Sequence, residues 1–155
     1  MYTTRSLFSG QYMKISRLLV PVSGSSADKQ AIQLACSSAK RYKAKVYVVY
    51  VIEVKRTLPL DAELEPEIQK GEAVLDAAER SASEADYRIE TEILQAREVG
   101  PAVVDEAVER AVDVIVVGVS YQKKFGEFTL GKTADYVLKN APCWVWVCRE
   151  PIQSS

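Results

Sequence analysis

The chain has 155 residues, of which 48% are apolar and 26% charged, and its formal net charge is -1. This length predicts one domain with a substantial core. The nearly balanced charge excludes binding to nucleic acid through bulk charge. No apolar run approaches the roughly 18 residues that a membrane-spanning helix needs. We therefore predict a single-domain protein that neither binds nucleic acid nor inserts into a membrane.

The sequence contains no histidine and three cysteines. Without histidine, Ser-His-Asp and Cys-His catalysis are excluded, as is the commonest metal ligand. Cys143 and Cys148 lie on one predicted strand and face opposite sides of it, so they cannot form a disulfide with each other. Cys36 is predicted to be a small buried residue. We predict a cytoplasmic protein without catalytic or metal-binding residues, which is not an enzyme or is at most a slow one.

The first half of the chain alternates strand and helix after a predicted N-terminal arm over residues 1–13. Ser16 to Val22 is predicted to be a strand, and the hydroxyl-rich turn after it offers Ser25 or Ser26 as a helix cap. The apolar face of the helix that follows is predicted from helical spacing. It comprises Ala31, Leu34, Ala35, Ser38 and Tyr42. Lys45 to Ile52 is β-branched and aromatic throughout, which is typical of a strand covered on both faces.

The second half continues the alternation. After a loop over residues 53–61, one helical face is predicted to contain Leu64, Ile68, Leu75, Ala78, Ala82 and Ala85. Residues 88–94 form a predicted strand, and Gly100-Pro101 begins a helix. The core face of that helix is predicted to be Val103, Val104, Ala107 and Ala111. Residues 113–118 form the fourth strand, 131–140 the last helix and 143–148 the last strand.

This order predicts a single α/β domain over residues 14–150, followed by a tail over residues 151–155. Apolar strands that alternate with helices form a parallel, doubly wound sheet with helices on both faces. Ligands bind such sheets beyond the carboxyl ends of the strands, where the strand order reverses. The loops after the first and fourth strands are therefore the predicted functional loops.

The loop after the fourth strand resembles a phosphate-binding segment. Gly131, Lys132 and Thr133 place backbone N–H groups, a cation and a hydroxyl at a helix start, which suits an anion. Residues 126–133 also match the pattern GxxxxGK[ST]. A true phosphate loop follows its strand directly, whereas Gly126 lies eight residues past Gly118. We therefore predict an anion site here and not a phosphate-loop NTPase.

From Lys14 to Arg149 the sequence resembles the universal stress protein family. The resemblance is carried by five stretches: Val20-Pro21-Val22, Val48 to Glu53, Gly100-Pro101, Asp113 to Gly118 and Gly131 to Val147. It implies five parallel strands in the order 3-2-1-4-5 and a homodimer in which the last strands pair antiparallel. The run from Gly131 to Cys143 is similar to family members that accompany membrane transporters, which implies a transporter as a further partner.

One branch of the family binds ATP, and its pattern implies a site in this chain, with ATP and Mg²⁺ as the cofactor. Gly118 and Gly131 match the first and third glycines of the pattern. Tyr121 replaces the second glycine, Lys132 replaces a hydroxyl residue, and Ser23 replaces an aspartate. The implied adenine slot comprises Pro21, Val22, Ser23 and Val51. The implied phosphate contacts are Gly118, Ser120, Tyr121, Gly131, Lys132 and Thr133.

Structural explanations remain open for several of these residues. Gly118 could simply end a strand, and Gly131 could simply allow a tight turn. Lys123 and Lys124 are predicted to be solvated loop residues. On the last strand, Trp144 and Trp146 alternate with Cys143, Val145 and Val147. Core packing beneath a helix and a dimer seam at the sheet edge are both open for this strand.

Three functions compete at this point. The first is a regulatory stress-response protein that binds a nucleotide or another phosphate-bearing ligand. The second is a ligand-free dimeric adaptor, acting beside a transporter, which the departures at Ser23 and Tyr121 favour. The third is a flavodoxin-like carrier that uses Ser23 to Ser26 as a phosphate cradle and would carry a yellow chromophore. A fold alone does not decide among them.

Overall fold

The structure is a computed structural model that describes residues 14–152 apart from Gln122 and Phe125. The predicted arm over residues 1–13 and residues 153–155 of the predicted tail lie outside the described residues. The side chains of Lys123 and Lys124, predicted to be solvated, lie outside them as well.

The described chain alternates strands and helices, as the sequence predicts. The strands are β1 (Arg17–Val22), β2 (Lys45–Glu53), β3 (Glu90–Ala96), β4 (Val114–Val119), β5 (Lys123–Lys124), β6 (Glu127–Phe128) and β7 (Trp144–Arg149). The helices are α1 (Asp28–Tyr42), α2 (Glu65–Glu84), α3 (Val99–Glu109) and α4 (Lys132–Asn140).

The main sheet has five strands in the order β3-β2-β1-β4-β7. All of its pairings are parallel. The predicted sheet and strand order are therefore confirmed, with β7 as the fifth strand of the series. The sequence did not indicate the short antiparallel hairpin formed by β5 and β6 in the loop after β4.

Two apolar layers cover the two faces of the sheet. Alternate residues of β2 enter them: Val48 joins the layer beneath α1 and α2, and Val49 joins the layer beneath α3 and α4. Every residue of β2 between its two ends is buried, which is why its sequence is apolar without alternation. Cys36 is fully buried, as predicted. Cys143 and Cys148 contact opposite layers, which confirms that they face opposite sides.

The predicted helix faces are largely confirmed. On α2, Leu75, Ala78 and Ala82 are buried, and the other predicted residues pack against the same layer. On α1, Ala31 and Ala35 are buried, but Leu34 and Tyr42 are exposed. The buried face of α1 instead continues through Ile32, Cys36 and Ala39.

Two local predictions are wrong. Ala111 is exposed, because α3 ends at Glu109 and the backbone at Ala111 turns to a φ of 53°. Neither Ser25 nor Ser26 caps α1, whose N-cap residue is Ala27 without a side-chain hydrogen bond. The Ser25 hydroxyl accepts instead from the N–H of Ala27, at 3.2 Å.

A side-chain contact fixes the start of β1 beside the start of β4. The Asp113 carboxylate accepts from the N–H groups of Ser16 and Arg17, at 2.7 and 3.0 Å. Bonds to an ionised carboxylate are stronger than those between neutral groups. This contact helps to set the register of β1 against β4. It thereby helps to align the carboxyl ends of the two strands.

Among the helices described, none is both long enough and apolar enough to cross a membrane.

Candidate functional site

A cavity of about 280 Å³ lies where the carboxyl ends of β1, β2 and β4 meet the starts of α3 and α4. The strand order reverses here, since β1 lies between β2 and β4. This is the place where doubly wound sheets bind ligands. The volume is just below the usual range of about 300–1,000 Å³ for small-molecule pockets, which favours a ligand of mononucleotide size or smaller.

Eight of the ten residues predicted for the nucleotide site line this cavity. They are Pro21, Val22, Ser23, Val51, Gly118, Gly131, Lys132 and Thr133. The lining also includes Asp28, Tyr50, Val99, Val117, Leu130 and Ala134. The wall is thus mainly apolar, with a few polar groups contributed by α4 and by the loop after β1, a composition typical of small-molecule sites.

The structure places Ser120 and Tyr121 outside the lining of the cavity. The ring of Tyr121 stacks on that of Phe128, with centroids 5.2 Å apart and planes 9° apart. The guanidinium of Arg149 lies 5.1 Å from the centroid of the Tyr121 ring. Tyr121 therefore packs with the hairpin and the end of β7, where aromatic and cation–π contacts hold it.

Gly118 has a packing reason to be glycine. A Cβ added to it would lie 2.7 Å from the carbonyl oxygen of Ala27 and 3.1 Å from the Cβ of Ala31. The absence of a side chain lets α1 lie directly on the end of β4. The backbone of Gly118 still borders the cavity, so the structural and the ligand-facing explanations are compatible.

Gly131 is required for a different reason. Its φ of 87° and ψ of 160° occupy a region that is essentially limited to glycine. It is the N-cap residue of α4 and has no side chain to cap the helix. The N–H groups of the first turn of α4, which have no partner within the helix, are thereby left free to face a ligand.

Lys132 is the first residue of α4, and its ammonium lies 3.9 Å from the Glu98 carboxylate. The Lys132 side chain is 83% exposed, so this ion pair is weak. The ammonium can move to an anion in the cavity at little cost. The Lys132 ammonium, the start of α4 and the Thr133 hydroxyl thus lie together at one part of the cavity lining, a combination that suits an anion.

Asp28, the first residue of α1, adds a carboxylate to the lining of the cavity. The Asp28 carboxylate accepts from the N–H of Gly24 at 2.8 Å and from that of Ser23 at 3.4 Å. Burial raises the pKa of Asp28, and the hydrogen bonds from Gly24 and Ser23 act against this rise. The sequence interpretation missed Asp28, although an acidic residue in the first turn of the helix after β1 is a usable signal.

A larger depression of about 550 Å³ lies between α1 and α2 and shares Asp28 with the cavity. Its lining carries both signs of charge, and Lys29 forms an ion pair with Glu84 across it, at 3.2 Å. The smaller cavity is the better candidate, because it lies at the carboxyl ends of the strands, where the strand order reverses.

The last strand β7 forms one edge of the sheet. Cys143 and Val145 pack against the layer beneath α3 and α4, and Trp146 packs against the opposite layer. Trp144 is 61% exposed and Val147 is 38% exposed. Core packing therefore accounts for Trp146, but it is wrong for Trp144.

The fold is a small α/β domain with a cavity at the switch point of a parallel sheet. The model of the universal stress protein family matches residues 14–149. The chain therefore belongs to this family, as its resemblance implies.

One related sequence and two solved structures are similar to this chain. A universal stress protein of Methanocaldococcus jannaschii is 28% identical over 156 residues, which cover 97% of this chain and 91% of the relative. The structure of a universal stress protein from Archaeoglobus fulgidus matches with a TM-score of 0.73 at 22% identity, over 85% of this chain and 97% of the other. A second A. fulgidus structure, solved in complex with dAMP, matches with a TM-score of 0.68 at 18% identity, over 88% and 98% of the two chains.

Proposed function

We propose that this protein binds an adenine nucleotide in the cavity between β1 and β4 and that occupancy regulates its contacts with other proteins in a stress response. The observation that carries the proposal is the uncapped N-terminus of α4, which borders the cavity beside Lys132. The apolar wall offers a surface for a base. The dAMP bound by the A. fulgidus relative supports the ligand class.

The proposed role is binding and not catalysis. The only charged side chains that line the cavity, among the residues described, are those of Asp28 and Lys132. A general base has to reach the proton that it removes, and Asp28 is already engaged with two backbone N–H groups of its own loop. Any hydrolysis of a bound nucleotide is expected to be slow.

Calorimetric titration of the purified protein with AMP, and with ATP in the presence of Mg²⁺, tests this proposal. We expect micromolar binding of at least one of these nucleotides. Adenosine should bind at least tenfold more weakly, because it lacks the phosphate that α4 and Lys132 would hold. The same preparation is denatured, and the released small molecules are identified by mass spectrometry. No heat with either nucleotide and no released nucleotide would contradict the proposal.

We also propose that two copies associate through β7. One edge of β7 pairs with β4, and no further strand follows it in the sheet order of the described chain. Exposed strand edges tend to pair with another chain. Trp144 and Val147 add exposed apolar surface to this edge. The same interface would serve a ligand-free adaptor beside a transporter, which is the alternative if the cavity binds no nucleotide.

Val147→Lys is expected to convert the dimer to a monomer, because it places a charge on the paired edge. Val108→Lys is the matched control, since Val108 is an exposed valine on α3. Sedimentation velocity at several protein concentrations measures both variants and the wild type. A monomeric wild type, or a dimer that Val147→Lys leaves intact, would refute association through β7.

A further inference from the structure

The charged residues are distributed unevenly along the chain. Residues 1–52 contain eight Lys or Arg residues and one acidic residue, Asp28, whereas residues 53–155 contain 12 basic and 20 acidic residues. The formal net charge of -1 therefore combines a basic first third with an acidic remainder. Such an asymmetry indicates a surface that contacts a negatively charged partner.

Six of these cations lie at the amino end of the sheet, which is the end opposite the cavity. All six are exposed, and we call them the basic patch: Lys14, Arg17, Lys40, Arg41, Lys43 and Lys45. Arg17 and Lys45 are register partners on β1 and β2, and the N–H of Lys45 donates to the carbonyl of Ser16 at 2.9 Å. The last turn of α1 and its C-cap residue contribute three further cations, directly before β2 begins.

The fold does not account for the whole patch. Cations near the C-terminus of a helix are stabilised by its dipole, which explains those of α1. Arg17 and Lys45 lie instead side by side at two strand starts, where like charges repel each other. None of the ion pairs among the described residues includes a residue of the patch. Asp113, the acidic side chain bonded to the start of β1, accepts from two backbone N–H groups. The charge of the patch is therefore available to an external anion.

The patch lies outside both cavities described above. The lining of the cavity at the strand ends contains none of its residues, and neither does that of the depression between α1 and α2. Tyr42, which is 46% exposed, lies among the cations at the end of α1. Tyrosine has an apolar ring and a polar tip, and it is enriched where membranes meet water.

We propose that the basic patch binds the anionic headgroups of a lipid bilayer and so places the protein on a membrane surface without insertion. Clusters of about four to eight Lys or Arg residues bind such headgroups. A bilayer presents a plane of negative charge, so the protein needs no groove to bind it. A nucleic acid strand, in contrast, follows a positively charged groove. The acidic remainder of the chain is repelled by the same bilayer, which keeps the patch towards the lipid and the cavity away from it.

Sedimentation of the full chain with vesicles tests this inference. The vesicles consist of phosphatidylcholine with about one-third phosphatidylserine, and pure phosphatidylcholine is the comparison. Arg17→Gln/Lys45→Gln removes two cations of the patch. Lys55→Gln/Arg56→Gln is the matched control, because it removes one exposed lysine and one exposed arginine from the loop after β2. Thermal unfolding verifies that the variants fold.

We expect the wild type to bind the phosphatidylserine vesicles at least about tenfold more tightly than pure phosphatidylcholine. Raising the salt should weaken this binding, because exposed charges are screened. Arg17→Gln/Lys45→Gln should bind about 30-fold more weakly, since each cation near the surface contributes about fivefold. Its melting temperature should equal or exceed that of the wild type, because a repulsive pair is removed. The control should bind within about twofold of the wild type, because its charges lie beyond the screening length from the bilayer.

Lys40→Gln/Lys43→Gln is a second patch variant, which keeps the test valid if the first one fails to fold. It should lose affinity by a similar factor. The inference is overturned if the wild type does not bind the phosphatidylserine vesicles, if the patch variants bind them as the wild type does, or if the control loses as much.

A fluorescently labelled oligothymidylate is the competing ligand, and its binding is measured by anisotropy. If the wild type binds it as tightly as the phosphatidylserine vesicles, the patch is a nucleic-acid site and the inference fails. None of these measurements involves a nucleotide in the cavity. The proposed function and this inference can therefore fail independently of each other.

Discussion

Gly118→Ala is expected to lower the free energy of unfolding by about 3 kcal/mol, near the upper end of the usual cost of overpacking. The added Cβ would lie 2.7 Å from the carbonyl oxygen of Ala27. This neighbour is backbone at the start of α1, so it cannot rotate away as a side-chain end could. The helix would have to move off the sheet, and contacts throughout the layer beneath α1 and α2 would loosen. Urea unfolding measures the effect.

Gly131→Ala is the comparison, because a Cβ there meets nothing within 4 Å and only the positive φ opposes it. Gly131→Ala should lower the free energy of unfolding by about 1–3 kcal/mol. It should disturb only the first turn of α4. Hydrogen exchange distinguishes the two variants: Gly118→Ala should reduce protection in α1, and Gly131→Ala should reduce it in α4. An unchanged urea midpoint for Gly118→Ala would show that α1 adjusts without cost and that packing does not require this glycine.

Lys132→Ala is expected to lower the affinity for AMP by about tenfold at low salt, because it removes the cation beside the predicted phosphate position. The side chain is largely exposed, so solvent screening keeps the loss well below that of a buried charge. The difference between wild type and variant should shrink as salt is raised. Calorimetry with AMP at two salt concentrations measures it.

Two further variants test the same lysine. Lys132→Arg retains the charge and should bind AMP within a few fold of the wild type. Glu98→Gln removes the carboxylate that pairs with Lys132 at 3.9 Å. It should raise the affinity for AMP by up to about fivefold, because an exposed ion pair is worth no more than that. Equal affinity of Lys132→Ala and wild type at low salt would mean that α4 binds the phosphate through its backbone alone.

The fold could be predicted because its signals are local. Buried parallel strands are apolar without interruption, as β2 is, and the helices between them have apolar residues at helical spacing. The order of the strands was a weaker inference, since alternation alone permits several doubly wound orders. It rested on the resemblance to the family, which the described sheet confirms.

Contacts that join distant segments could not be predicted. Tyr121 was assigned to the phosphate site from its place in a glycine pattern, but Phe128 and Arg149 hold its ring elsewhere. That cluster requires the hairpin of β5 and β6, whose strands are too short to leave a sequence pattern. Asp28 was missed because only Ser23 was compared with the aspartate of the family pattern. The Asp28 carboxylate lies in the first turn of α1 and accepts a hydrogen bond from the N–H of Ser23.

The central position of β1 has a consequence for the order of folding during synthesis. β1 is the first described strand, but its two neighbours are β2 and β4, and its contact with β4 joins Leu18 to Val114. While the ribosome is still making α2 and β3, one edge of β1 is unpaired and apolar. Such an edge is an aggregation hazard until its partner emerges. The second half of the chain therefore protects the first, and a ribosome that pauses before β4 leaves the nascent domain exposed to misassembly.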